Sequence, residues 1–457
     1  MKRDIIQLFL EWKSRKNRKP LIVRGARQVG KTYAINEFAR EQFAYSVTIN
    51  LEESPELRQM FKTNNPKSII HELSIIKNTD IIPDKTLLFI DEIQTCPEAI
   101  VSLRYFYEQI PELHIIAAGS LLDHTLNEIQ LSMPVGRVEF CYMYPMNFKE
   151  FLWAVDENKL TDYLDNFTFD QTFSEAIHAK LLDLMRYYIF IGGMPEAVKI
   201  FAESQKLIDV ERVQSSILTS LQYDFAKYGS KSQQRHLLSV LQYIAQNTGK
   251  KIKYVNIDKE TRSANLKEAL YKLEMSRVIN LVKHTASAGV PLSTHLNQDV
   301  FKAFFLDIGL ANHLCKIQLI DPLKILTINE GAIAEQFVNQ ELLSLATSFD
   351  NPQLYYWVRD EKNAHAEIDF LFQHNNNVYP IEVKAGKTGT LKSMHVYLFE
   401  KKIKMGIRFN TDLPTIGSFK AKVRSGEINS EIEYTLLSLP LYMINQLPRL
   451  LQKIGKK

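Results

Sequence analysis

The sequence predicts an α/β chain that opens on a parallel sheet, and three stretches carry that expectation. Residues 20–32, PLIVRGARQVGKT, pass from an apolar strand into a glycine-bounded loop, and residues 33–41 then suit a helix. Residues 87–92, LLFIDE, set four apolar positions before two carboxylates. Residues 113–118, LHIIAA, form a third apolar run that ends in Gly119 and Ser120. Short apolar runs of this kind read as strands buried on both faces, as in a parallel sheet.

In the first stretch Gly25, Ala26, Arg27, Gln28, Val29, Gly30, Lys31 and Thr32 have the G-x-x-x-x-G-K-T spacing of a phosphate-binding loop. The glycines let successive N–H groups point at phosphate oxygens, and the following helix start adds its positive dipole end. Lys31 is then expected on the β- and γ-phosphates of ATP and Thr32 on Mg²⁺. A buried strand that ends in two carboxylates needs a reason. Asp91 as a Mg²⁺ ligand and Glu92 as the base that polarises the attacking water supply one, with Glu92 as a plain helix-start residue the alternative. The strand at residues 45–51 lies between the two motifs. A strand inserted between loop and carboxylates, with a glutamate beside the magnesium aspartate, is the pattern of the additional-strand class of P-loop ATPases. Ser120, at the end of the next strand, is a candidate γ-phosphate sensor or the N-cap of a helix from Leu121 onward.

Length and composition set the outer bounds. A chain of 457 residues holds about three domains of ordinary size. Apolar and charged fractions of 45% and 24% are those of a globular protein with a large core. The net charge of +4 is too small to name a partner. Cys96, Cys141 and Cys315 are scattered, which speaks against a disulfide framework or a zinc site and suits a reducing cytoplasm. No segment reads as a signal peptide or a membrane span.

GARQVGKT, LLFIDEIQ, AAGS, Met133-Pro134-Val135-Gly136-Arg137 and residues 144–151, YPMNFKEF, together resemble a large bacterial and archaeal group of AAA-superfamily ATPases with a C-terminal domain of unknown function. The resemblance continues through Gly192-Gly193-Met194-Pro195-Glu196 to Asp307-x-Gly309-Leu310, so it covers most of the chain. In that group a Gly-Arg pair follows the sensor strand, which implies a catalytic role for Arg137, acting in cis or from a neighbouring copy. An arginine on the transferring phosphoryl group contributes roughly 10³ to 10⁵ in rate. The alternative is an ion pair with Glu139.

Residues 1–155 are therefore expected to form the ATPase core and 156–228 a helical lid or connector. Residues 229–325 follow the winged-helix order: a helix at 237–247, a short strand at 252–255, helices at 256–261 and 263–276, then a strand at 278–282 with a return. Residues 250–283 hold nine Lys/Arg against four Asp/Glu. Arg262, Lys267, Lys272 and Arg277 are the candidate DNA contacts, unless the module serves protein partners instead.

Residues 326–457 read as helix (332–345), strands (354–358, 367–373, 378–385), helix (391–402) and strand (405–410). That is the order of a restriction-endonuclease-like core, with Asp369 on one strand and Glu382-x-Lys384 on the next as its signature. A hairpin turn on Asn375-Asn376 makes partners sum to 751, placing Asp369 opposite Glu382 and Glu367 opposite Lys384, whereas a turn that takes in Asn377 shifts the register by one. Two carboxylates about 5 Å apart repel by roughly 3 kcal/mol at an effective dielectric near 20, and a divalent cation between them would remove the conflict. Glu335 is a third candidate ligand and Lys384 the group beside the attacking water. The expected function is an AAA-type ATPase coupled to DNA binding and Mg²⁺-dependent cleavage. The alternative is a nucleotide-gated switch whose C-terminal half docks DNA or protein, with a homo-oligomer or protein partner open in both.

Overall fold

The computed structural model describes residues 1–120, 136–225, 230–287, 289–317, 325, 330–346, 349, 351–361, 364–386, 390–425 and 428–455. They fall into two compact units: Met1–Pro145 with Tyr271–Val278 and Ala346–Pro352, and Met146–Leu270 with Ile279–Leu345 and Gln353–Lys457.

The first unit is a parallel five-stranded sheet, built from β1 (Leu21–Arg24), β2 (Tyr45–Asn50), β3 (Thr86–Asp91), β4 (His114–Gly119) and β5 (Glu139–Tyr142) in the spatial order β2-β3-β4-β1-β5. This is the P-loop fold of AAA type. It corrects one expectation: the strand inserted between loop and carboxylates is β4, while β2 sits at the edge. β3 and β4 are buried along their whole length, as strands covered on both faces must be. Ile22, Ile49, Leu88, Ile90 and Ala117 share one core with the helix Pro97–Gln109. Residues 121–135 lie outside the described residues, and with them the helix expected after Ser120 and the Met133–Val135 part of the resemblance.

The second unit begins with helices, Phe148–Ala154 through Leu207–Asp224. Two motifs of the resemblance meet in it. The Gly193 N–H donates to Asp307 Oδ2 at 2.6 Å and the Leu310 N–H to Asp307 Oδ1 at 3.0 Å. A Cβ on Gly193 would stand 2.0 Å from the Met146 carbonyl oxygen, and one on Gly192 (φ +79°) 2.1 Å from Asp307 Oδ1. The GGMP turn and the DxGL segment thus form a buried latch, and glycine is required because backbone and carboxylate approach so closely.

After the helix Lys231–Gln246, the expected strand at 252–255 is absent. An isolated bridge joins Lys251 to Lys302, and a single helical turn, Tyr254–Ile257, follows. The helix Ser263–Met275 leads to β6 (Ile279–Thr285) and β7 (Leu296–Phe305). This hairpin does not stand alone. With β8 (Tyr355–Glu361), β9 (Ala364–His374), β10 (Asn377–Val383), β11 (Met405–Asn410), β12 (Thr415–Ser425) and β13 (Ile428–Pro440) it makes one eight-stranded sheet, β12-β13-β11-β10-β9-β8-β6-β7. The helix Glu330–Leu345, β8 to β10, the helix Lys392–Lys401 and β11 follow one another in the order read from the sequence.

The β9–β10 hairpin has the expected register: Asn377 pairs with His374 and Ile381 with Phe370, each pair summing to 751. Asn375 takes the left-handed conformation (φ 53°) that a tight hairpin turn asks of its first residue. The backbone ladder ends at Ile381, because the Asp369 carboxylate itself accepts the Val383 N–H at 2.8 Å.

Candidate functional site

The first cluster of functional side chains gathers at the carboxyl ends of β1, β3 and β4, where ligands of open parallel sheets bind. β1 leads into the loop, with Arg24 in register with Gly119 of β4 and Tyr142 of β5. Gly25 is fixed by crowding, since a Cβ there would lie 2.3 Å from the Met143 carbonyl oxygen. Gln28 (φ 62°) and Gly30 (φ 90°) are left-handed, and the curl they produce ends at the start of the helix Lys31–Gln42. Lys31 is buried, with Nζ donating to the carbonyls of Gly25 (3.0 Å) and Ala26 (2.7 Å). Burial pulls its pKa down to about 8, against the opposing pull of Glu92 and Asp91. This ammonium lacks enough negative charge around it.

Thr32 Oγ1 donates to Asp91 Oδ2 at 2.7 Å, so the two expected Mg²⁺ ligands converge. An octahedral ion that takes one or two protein oxygens and completes its shell from phosphate and water fits this pair. Glu92 is left-handed (φ 50°), an unusual conformation for a residue with a side chain and one that collects at active sites. The Gln94 amide, which sequence reasoning did not single out, donates from Nε2 to Glu92 Oε2 at 2.5 Å. Its Oε1 is buried without a partner at the end of β4, and so is the hydroxyl of buried Ser120. The only available signal was position: a polar side chain two residues after Glu92.

Arg137 is placed elsewhere. It precedes β5, whose first residue Glu139 pairs with Leu21 at the amino-terminal edge of the sheet, so it lies at the end opposite the loop. Its Nε donates to Glu108 at 2.9 Å, and Glu139 is taken by Arg15. Neither expectation for Arg137, a cis contact with phosphate or a pair with Glu139, survives.

The second cluster lies in the eight-stranded sheet. Lys384 Nζ donates to Glu382 Oε1 at 2.9 Å, which agrees with their sharing a face. Glu367 does not face the Lys384 ammonium as expected. It binds Lys302 Nζ at 2.6 Å and Lys251 Nζ at 3.7 Å. Lys302, from β7, also lies 3.2 Å from Glu335 and 3.9 Å from Asp369, with a side chain only 2% exposed. β6 and β8 pair over only two residues, and the Phe304 ring of β7 lies 5.7 Å from the Phe370 ring of β9.

Burial first, then the Asp369 charge, raises Glu335 to about 8 and Glu382 to about 7. Lys302 is raised although burial alone would lower it, because Glu335, Asp369 and Glu367 surround it. Among the described residues no group of three His, Cys, Asp or Glu side chains is arranged to hold a metal ion. With the Lys302 ammonium between them, the carboxylates here do not fit the divalent cation expected at Asp369, Glu382 and Glu335.

Of the four candidate DNA contacts, Arg262 and Lys267 are exposed on the helix Ser263–Met275 or at its start, and Lys272 is half-buried. Arg277 is engaged within the first unit. Its guanidinium lies 4.5 Å from the Tyr142 ring centroid and donates to Asn351. No described helix is long and apolar enough to cross a membrane.

Residues 17–152 match the model of a family described as an AAA domain. Residues 182–321 and 330–428 match two domains of unknown function, DUF8612 and DUF4143. A comparison with curated proteins finds no match. Solved structures that resemble the chain include the ORC2 protein of Aeropyrum pernix, at 14% identity and TM-score 0.34 over 68% of this chain and 91% of that one. Another is the RuvB Holliday junction branch migration motor of Thermotoga maritima, at 14% and 0.28 over 65% and 93%. PCH-2 of C. elegans follows at 10% and 0.26 over 44% and 61%. Likenesses at these TM-scores carry no argument about substrate or partner.

Proposed function

We propose that this chain, whose residues 17–152 form an AAA domain ahead of two domains of unknown function, hydrolyses ATP and uses the cycle to switch a DNA-docking C-terminal half. The observation that carries the first part is the convergence of Lys31, Thr32, Asp91 and Glu92 at the end of one parallel sheet. Loop N–H groups and Lys31 bind the phosphates. Thr32 and Asp91 would hold Mg²⁺, which supplies charge neutralisation on the β- and γ-phosphates. Glu92, held by Gln94, takes the proton of the attacking water. Ser120 has a free hydroxyl to offer the γ-phosphate. Glu92→Gln should retain ATP and fail to release phosphate, and normal turnover in that variant would refute the assignment.

Support for DNA as the docked partner comes from Arg262 and Lys267, exposed with Tyr271 along one helix. Phosphate contacts make affinity salt-dependent. Each of Arg262→Ala and Lys267→Ala should weaken binding to duplex DNA and lower the slope of log K against log salt by about one. If the wild type shows no DNA affinity at low salt, a protein takes DNA's place as the partner.

A further inference from the structure

The acidic cluster of β9, β10 and the helix Glu330–Leu345 already has a cation at its centre. Lys302 stands in the apolar run Val300-Phe301-Lys302-Ala303-Phe304-Phe305, in which Phe301, Ala303, Phe304 and Phe305 are buried. A buried lysine must be paired and hydrogen-bonded, and an ammonium has three donors to give. Three carboxylates surround it, at 2.6 Å (Glu367), 3.2 Å (Glu335) and 3.9 Å (Asp369). The strand that carries it is fixed on both sides, by its ladder with β6 and by the bridge to Lys251. Of the neighbouring acceptors two oxygens are committed, while Glu382 Oε2 is buried without a partner. Asp369 Oδ2 holds the Val383 N–H, and Glu382 Oε1 holds Lys384. The Tyr356 ring lies 5.3 Å from the Lys302 ammonium and closes the same pocket.

We propose that Lys302 is the resident cation of this site, its ammonium standing where a divalent ion would otherwise join Glu335, Glu367 and Asp369, so that the C-terminal domain takes up no divalent metal. The carboxylates are then a closed metal site, and the lysine is what closes it. This inference does not depend on ATP hydrolysis by the first unit, and its test is made without nucleotide.

The test uses the full chain with Mn²⁺ as the probe, read by titration calorimetry and by the melting temperature. Wild type should show no Mn²⁺-dependent rise in Tm that Asp369→Asn removes. Lys302→Met should bind Mn²⁺ saturably and melt higher as Mn²⁺ increases, because a ligand of the folded state stabilises by mass action. Adding Asp369→Asn to Lys302→Met should abolish that gain, and Lys302→Arg, which keeps the charge, should show no such gain. Should Lys302→Met fold only with Mn²⁺ present, the inference is equally supported. If it does not fold at all, Lys302→Met with Glu335→Gln removes one surplus charge and is titrated in its place. A wild-type Mn²⁺ gain that Asp369→Asn removes would overturn the inference, and so would a folded Lys302→Met chain indifferent to Mn²⁺. If neither Lys302 variant folds, the wild-type comparison with Asp369→Asn decides alone.

Discussion

Two lysines, each buried near carboxylates, one beside Asp91 and Glu92 and the other among Glu335, Glu367 and Asp369, have been pushed in opposite directions. Lys31 is pulled down to about 8 because burial outweighs Asp91 and Glu92, while Lys302 is raised because three carboxylates outweigh the same burial. A lysine left short of negative charge marks a site that a polyanion completes. A lysine with a surplus of it marks a site that is already complete. Sequence motifs do not distinguish these cases, since Gly-Lys-Thr with Asp-Glu is a long and specific signature and Asp with Glu-x-Lys a short one, yet neither shows how much negative charge surrounds its lysine.

The largest effect that sharpens the contrast is on turnover. Glu92→Gln should cut phosphate release by about 10² to 10⁴-fold, the usual worth of a general base, with nucleotide affinity retained in an equilibrium binding measurement. In the closed site the corresponding loss is one of stability. Lys302→Met should cost about 3–5 kcal/mol in denaturant unfolding, because it leaves buried carboxylates without their partner. A cost under about 1 kcal/mol, the range of an exposed ion pair, would break the comparison.

Ser120→Ala separates function from folding within the open site. Its hydroxyl has no partner in the nucleotide-free chain, so removal should change stability by less than about 0.5 kcal/mol. Hydrolysis should still slow by about ten- to a hundredfold, the size of a hydrogen bond to a charged group worth about 1.5–3 kcal/mol.

The smallest effect is a proton count. With a folded-state pKa near 8 against an ordinary 10.5, Lys31 binds fewer protons in the empty chain than in the unfolded one. Its burial penalty is therefore full below pH 8 and fades as pH rises toward 10.5. Phosphate beside it restores the charged form, so ATP binding at pH 8 should take up about half a proton. Calorimetry in buffers of different ionisation enthalpy would read this, and uptake that persists in Lys31→Arg would assign it elsewhere.

Where the deciding interactions are local, the sequence was enough. The phosphate loop is eight consecutive residues, β3 is an apolar run closed by Asp91, and the β9–β10 register follows from Asn375-Asn376 and period-two alternation. Each of these is set by backbone conformation and near neighbours. Order along the chain likewise gave the helix and strands around Asp369 and Glu382. What tertiary structure alone decided is which groups share a space. The pairing of β6 with β8, the latch between Gly193 and Asp307, the exile of Arg137 to the far edge of its sheet, and Lys302 among the carboxylates all depend on how sheets order and curl. Charges interact through distance in space, and the distance from Lys302 to Glu367 is not written in the 65 positions of chain that separate their numbers.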